Sequence, residues 1–168
     1  MVGRTAPAVL DAADRRLLVA LAHDGRKSAA ALGKDLGLSR QAVAQRIREL
    51  ERSGVIRGYR AEVEPAALGL TVRAQIRIAL NGGLGPRREK EVVKLLLAHP
   101  MVRAVHRVSG EDCFVAQVVC RRIEDVNALL GQLLGTRALA HSRTAFVLET
   151  VIEKGSFGSV AGLVEEEP

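Results

Sequence analysis

An α+β chain in two parts is predicted: a winged helix-turn-helix over residues 1–62, then a βαββαβ ferredoxin-like domain. Three observations lead there. Residues 11–53 carry three apolar stripes at helical spacing, broken by glycines and serines. From residue 71 onward, runs of strand-like alternation take turns with two amphipathic helical runs. Charge is unevenly spread as well: residues 1–62 hold 12 Lys/Arg against 7 Asp/Glu, whereas residues 63–168 hold 13 against 12. Concentrated positive charge favours a polyanion through counterion release, largely without regard to sequence.

In the first part, Asp11 caps a helix and Asp14 stands three residues on, in the capping-box position. Leu17, Leu18 and Leu21 make the inner stripe, and "HDG" closes the helix with Gly25 as its left-handed residue. Ser28 caps a second helix with the stripe Leu32 and Leu36, which stops at Gly37. Ser39 caps the third, whose stripe is Val43, Ile47 and Leu50, and Gly54 ends it. Gly33 is out of place in a helix interior, where glycine costs about 1 kcal/mol relative to alanine. Two helices crossing closely at a tight turn would require a small residue there. "VIRGYRAEV" (55–63) then reads as a short hairpin or wing.

Residues 63–70, with Pro65 and Gly69, form a linker to the second domain, 71–155. Its strands are "TVRAQIRIAL", "VRAVHRV", "DCFVAQVVC" and "HSRTAFVLETVIE", and its helices are "RREKEVVKLLLAH" and "IEDVNALLGQLLG". That order is the split βαβ arrangement, with both helices on one face of the sheet. The first strand turns Arg73, Gln75 and Arg77 to the other face, too polar for a plain core, so that face is expected to meet another subunit. Residues 156–168, glycine-bearing and ending in three glutamates, are expected to be mobile or to serve an intersubunit contact.

Several function classes fall away. No apolar run approaches the ~20 residues that span a bilayer, and the N-terminus lacks the apolar block of a secretion signal. Cys113 and Cys120 stand without a Cys/His cluster, which argues against a zinc site or a disulfide framework. The cytoplasm is the simplest compartment. His23, His99, His106 and His141 are scattered, and "NGGLGP" lacks the Lys-Ser/Thr ending of a phosphate loop, so no catalytic residues, metal or cofactor are expected. Aromatics are 2% of the chain, too few for the stacking platform of a sheet that binds RNA.

Residues 10–69, from "LDAADRRLL" to "EPAALG", strongly resemble the DNA-binding domain of the Lrp/AsnC (feast/famine) transcription regulators. Leu10-Asp11 with Asp14, Asp24-Gly25-Arg26, Gly37-Leu38-Ser39, Arg46, Leu50-Glu51, Gly54-Val55-Ile56 and Gly58-Tyr59 carry the match. The resemblance implies a homodimeric or larger regulator of double-stranded DNA, modulated by a small effector, usually an amino acid. A ligand-independent DNA-organising protein of the same fold is the alternative.

A helix-turn-helix sets its second helix in the major groove. Gln41 and Gln45 suit bidentate contact with adenine, and Arg48 suits guanine or phosphate. Ser39, with Arg40 and Arg46, is expected to hold phosphates that set register. In the second domain, the resemblance implies a ligand at the loop between the middle strands, where the family has a Gly, a variable pair and an Asp. Here "VSGEDCF" keeps Gly110 but brings the acid one residue early, at Asp112, with Cys113 in the usual slot. Backbone amides from Ser109 and Gly110 would take a ligand carboxylate, Glu111 or Asp112 its ammonium, and Ser142 and Thr144 would add hydroxyl contacts.

Overall fold

The computed structural model describes residues 9–83 and 85–151, and these form two compact units that divide between Glu62 and Val63. The segment 156–168 lies outside the described residues.

The first unit is built on α1 (Ala12–His23), α2 (Ala29–Leu36) and α3 (Arg40–Arg52). Each begins on a side chain that accepts from a first-turn amide. Asp11 takes Asp14 N–H at 2.7 Å, Ser28 takes Ala31 N–H at 3.2 Å, and Ser39 takes Ala42 N–H at 3.1 Å. These satisfy donors that a helix start leaves orphaned, at about 1 kcal/mol each. Asp14 returns the favour by accepting from Asp11 N–H, so the capping box forms with aspartate in the usual glutamate place.

Leu17, Leu32, Val43 and Leu50 meet in one core, with Leu36 and Ile47 packed against it. Burying a leucine fully stabilises by about 1.5–3 kcal/mol, so these few side chains hold the three helices together. Gly33 sits where α2 passes the turn into α3. A Cβ there would lie 2.5 Å from the Leu38 carbonyl oxygen, a backbone atom that cannot step aside.

Two local expectations fail in this unit. Gly25 is not left-handed; α1 ends at Asp24 in extended conformation, and the Asp24 carboxylate accepts from Arg26 N–H at 2.9 Å. That side-chain turn reverses the chain without a positive φ. No hairpin forms over 55–63, where no residue is in a strand. Val55 and Ile56 pack on the helical core, Ile56 N–H donates to Leu50 C=O, and the Tyr59 hydroxyl donates to Glu51 at 3.1 Å. The helix-turn-helix is therefore followed by an irregular segment and not by a hairpin wing.

The second unit opens with a 3-10 turn over Pro65–Leu68. There β1 (Val72–Leu80), α4 (Pro86–Ala98), β2 (Val102–Arg107), β3 (Phe114–Cys120), α5 (Ile123–Gly135) and β4 (Leu139–Phe146) follow in the predicted βαββαβ order. The sheet is antiparallel with order β2-β3-β1-β4. Ala74, Ile76 and Ile78 of β1 and Phe114, Ala116 and Val118 of β3 share a core with Val92 and Leu96 of α4 and Val126, Leu129 and Leu133 of α5. Both helices thus cover one face.

The final strand is shorter than expected. Ala74 pairs with Phe146, and Val147 N–H makes a last bond to Arg73 C=O, where β1 itself begins. Beyond that, residues 147–151 are no longer strand, although Arg73 Nη1 still donates to the Thr150 hydroxyl at 2.9 Å. No helix among the described residues is long and apolar enough to cross a membrane.

Candidate nucleic-acid interface and ligand loop

Because Val43, Ile47 and Leu50 face the core, the 3.6-residue repeat turns Gln41, Gln45, Arg48 and Arg52 outward, and all four are exposed. Gln45 Nε2 donates to Glu49 Oε1 at 3.0 Å, one turn on. A carboxylate can only accept, so the amide nitrogen must be the atom facing Glu49. The Gln45 carbonyl oxygen and its second N–H remain available to a bidentate partner. At the start of α3, the Ser39 oxygen is spent on its cap but its hydroxyl proton is not. Arg40, the first helical residue, is exposed beside it.

Arg46 behaves differently. It stands three residues after Val43 and four before Leu50, on the flank of the buried stripe. Its Nη1 donates to Asp11 Oδ2 at 2.6 Å and to Asp14 Oδ1 at 2.7 Å. The guanidinium is therefore engaged with the capping box of α1. The Asp14 amide, and after it the Arg46 guanidinium, hold the Asp11 carboxyl below the usual carboxylate range; the two aspartates in turn raise Arg46. The expectation that Arg46 holds a phosphate alongside Ser39 and Arg40 does not fit this engagement.

In the second unit, the loop from Ser109 to Asp112 joins β2 to β3 and is closed by Val108 N–H to Cys113 C=O at 3.1 Å. Gly110 has φ +112°, a conformation L side chains rarely adopt. It lets Asp112 fold back against the open face of the sheet, where its side chain is 2% exposed. Arg77 of β1 meets it there, with Nε and Nη2 both 2.6 Å from Oδ2. Oδ1 is buried with no hydrogen-bond partner among the described residues; His141 Nε2 lies 3.9 Å from it. Arg143, cross-strand from Arg77, reaches within 3.8 Å of the exposed Glu111. A buried carboxylate with one oxygen clamped and the other unspent is suited to a cationic donor.

The model of the AsnC-type helix-turn-helix domain matches residues 10–51, and that of the Lrp/AsnC ligand binding domain matches residues 73–157. This chain belongs to the Lrp/AsnC family. Among its relatives are the HTH-type transcriptional regulator LrpA of Mycobacterium tuberculosis, 34% identical over 84% of this chain and 91% of that protein, and AldR of Mycolicibacterium smegmatis, 31% identical over 83% and 82%. Escherichia coli AsnC superposes with a TM-score of 0.78 at 25% identity, covering 88% of this chain and 98% of that one. A Neisseria meningitidis transcriptional regulator, solved as an L-Met complex, shares the fold with a TM-score of 0.80 at 23% identity, covering 86% and 94%. The relatives are transcriptional regulators, and this Lrp/AsnC chain is one with a ligand-binding domain.

Within that family frame, the structure brings some of the predicted residues together and separates others. Ser39, Arg40, Gln41, Gln45 and Arg48 share the start and outer face of α3. Ser109, Gly110, Glu111 and Asp112 share one loop. Ser142 and Thr144 do not join them: they pair with Ile78 and Ile76, whose side chains enter the helix-covered core, so the hydroxyls lie on the opposite face of the sheet from Asp112. The residues that do converge on Asp112 are Arg77 and His141, with Arg143 beside them. Strand alternation carried that signal, since the polar face of β1 already included Arg77. What sequence could not supply was the β1–β4 register.

Proposed function

We propose that this regulator reads duplex DNA with the outer face of α3 and that an amino-acid effector, seated at the Ser109–Asp112 loop, modulates the binding. The carrying observation is the division of α3 itself. Its apolar stripe and Arg46 are engaged within the domain, while Gln41, Gln45, Arg48 and Arg52 face outward, the first three nearer the start of the helix. Gln45 and Arg48 have the donor and acceptor pattern for adenine and guanine edges. Ser39 and Arg40 sit where a phosphate would meet the start of the helix. For the effector, backbone amides around Gly110 would take the carboxylate, and the unspent Asp112 Oδ1 the ammonium. The open face bearing Arg73, Gln75 and Arg77 would be shared with a second copy, giving a homodimer or larger that reads two half-sites. The protein would act in the cytoplasm, on the chromosome.

Titration of a duplex selected by the full chain from a randomised pool tests the DNA reading. Arg48→Ala should cost about 1–3 kcal/mol on that duplex and little on unselected DNA. Arg40→Ala should weaken both alike and flatten the salt dependence by about one unit. Unchanged affinity in both variants would remove α3 as the reading element. Light scattering of the same chain should report at least a dimer at micromolar concentration, and a monomer would sink the shared-face reading.

A further inference from the structure

We propose that Arg46 is a positioning residue for DNA reading: through Asp11 and Asp14 it fixes the rotation of α3 about its own axis. This rests on α3 being the helix that enters the groove.

Apolar burial is non-directional and tolerates a roll of α3 that keeps Val43 and Leu50 inside. Hydrogen bonds are not so permissive, because they weaken steeply with angle. A single nitrogen of Arg46 bonds two carboxylates at the start of α1, the N-cap Asp11 and Asp14 of the first turn, and those two residues are locked to each other by the capping box. Any roll of α3 draws that nitrogen away from one of them. Gln45 is the neighbouring residue and Arg48 lies two further on, so the same roll would swing both away from base edges. The cross-link thus sets an angle that the core alone leaves soft. One of its acids lies in the first turn of α1 and the other is the residue just before that helix.

The alternative is that Arg46 leaves the aspartates and binds a phosphate when DNA arrives. The two ideas give opposite signs for one variant. Asp14→Asn keeps an oxygen for the Asp11 N–H but removes one of the two charges that hold Arg46, leaving only Asp11. If Arg46 positions α3, Asp14→Asn lowers affinity for the selected duplex. If Arg46 is a phosphate ligand in waiting, the variant frees it, and affinity rises. The experiment measures Asp14→Asn, Arg46→Ala and Arg46→Lys in the full chain, below the melting temperature of each, on the selected duplex and on poly(dI-dC).

The expected result is a fall of about tenfold in the ratio of selected to unselected affinity for Arg46→Ala, the size of one misaligned base contact. The salt slope stays unchanged, Asp14→Asn falls in the same direction, and Arg46→Lys recovers part of the loss. A slope flattened by about one unit for Arg46→Ala, with a gain for Asp14→Asn, overturns the proposal. So does a lowered melting temperature with the ratio intact, since that describes a stabilising contact and nothing more. Arg48→Ala, measured alongside, separates the failures. Silence at Arg48 removes the reading helix and this role with it, whereas a loss at Arg48 with none at Arg46 or Asp14 overturns the positioning role alone.

Discussion

The two units each join an arginine to aspartate, and they do so in opposite ways. In the helical unit, one partly exposed arginine satisfies two exposed or half-buried carboxylates, and every partner is engaged. In the sheet unit, one arginine clamps a single oxygen of a buried carboxylate and leaves the second without a bond. The first arrangement is closed, and adding a ligand to it would mean breaking something. The second is open, and a ligand would complete it. Burial and unfinished bonding together mark a receptive site; an ion pair alone does not.

The contrast can be broken most forcefully at Arg77. Arg77→Met should destabilise the sheet unit by about 2–3 kcal/mol, because it strands a buried carboxylate. Denaturant unfolding of the full chain measures this, and a loss under half a kcal/mol would mean that water already solvates Asp112. Next in size is the ligand effect. Some amino acid should raise the melting temperature of the wild-type chain and shift its DNA affinity by a coupling of about 1–3 kcal/mol. Asp112→Ala should abolish both responses with effector-free DNA binding nearly intact. An effector that binds Asp112→Ala in calorimetry with wild-type affinity would show Asp112 to be a turn residue only.

The smallest effect belongs to the closed site and depends on pH. Folding lowers the Asp11 pKa, so the unfolded chain binds the proton more tightly. The stability that Asp11 contributes is complete above the unfolded carboxyl value of about 3.9 and is lost as pH falls through the folded one. Acid titration of helical ellipticity should show Asp11→Asn flattening this decline. It should remain small and shrink with salt, as exposed ion pairs do.

Legibility in the sequence followed the range of the interaction. Caps, stripes and strand alternation are local, and Asp11, Ser28, Ser39 and the βαββαβ order could be read directly. The Gly25 turn went astray because Asp24 could make the same reversal with its side chain. The β-forming residues at 55–63 signal a strand, but Val55 and Ile56 are drawn onto the helical core instead. Arg46 stands more than thirty residues from its two acids, and nothing local to α3 announces that contact. Ser142 and Thr144 are expected to add hydroxyl contacts at the ligand loop that the resemblance implies. The register that puts them against Ile76 and Ile78 comes from strand pairing, which a linear reading does not fix.

Gly33 has a consequence for how the helix-turn-helix tolerates change. The obstacle to a side chain there is a carbonyl oxygen 2.5 Å from where the first carbon would stand. The penalty therefore arrives in full with alanine, and larger residues add little until they meet further neighbours. Tolerance at such a position is a step and not a slope. A saturation library would find alanine nearly as damaging as valine there. At Leu32, four side-chain carbons buried in the core, damage would instead grade with volume removed. Of these two adjacent residues, one is measured by how much it fills and the other by whether anything is present at all.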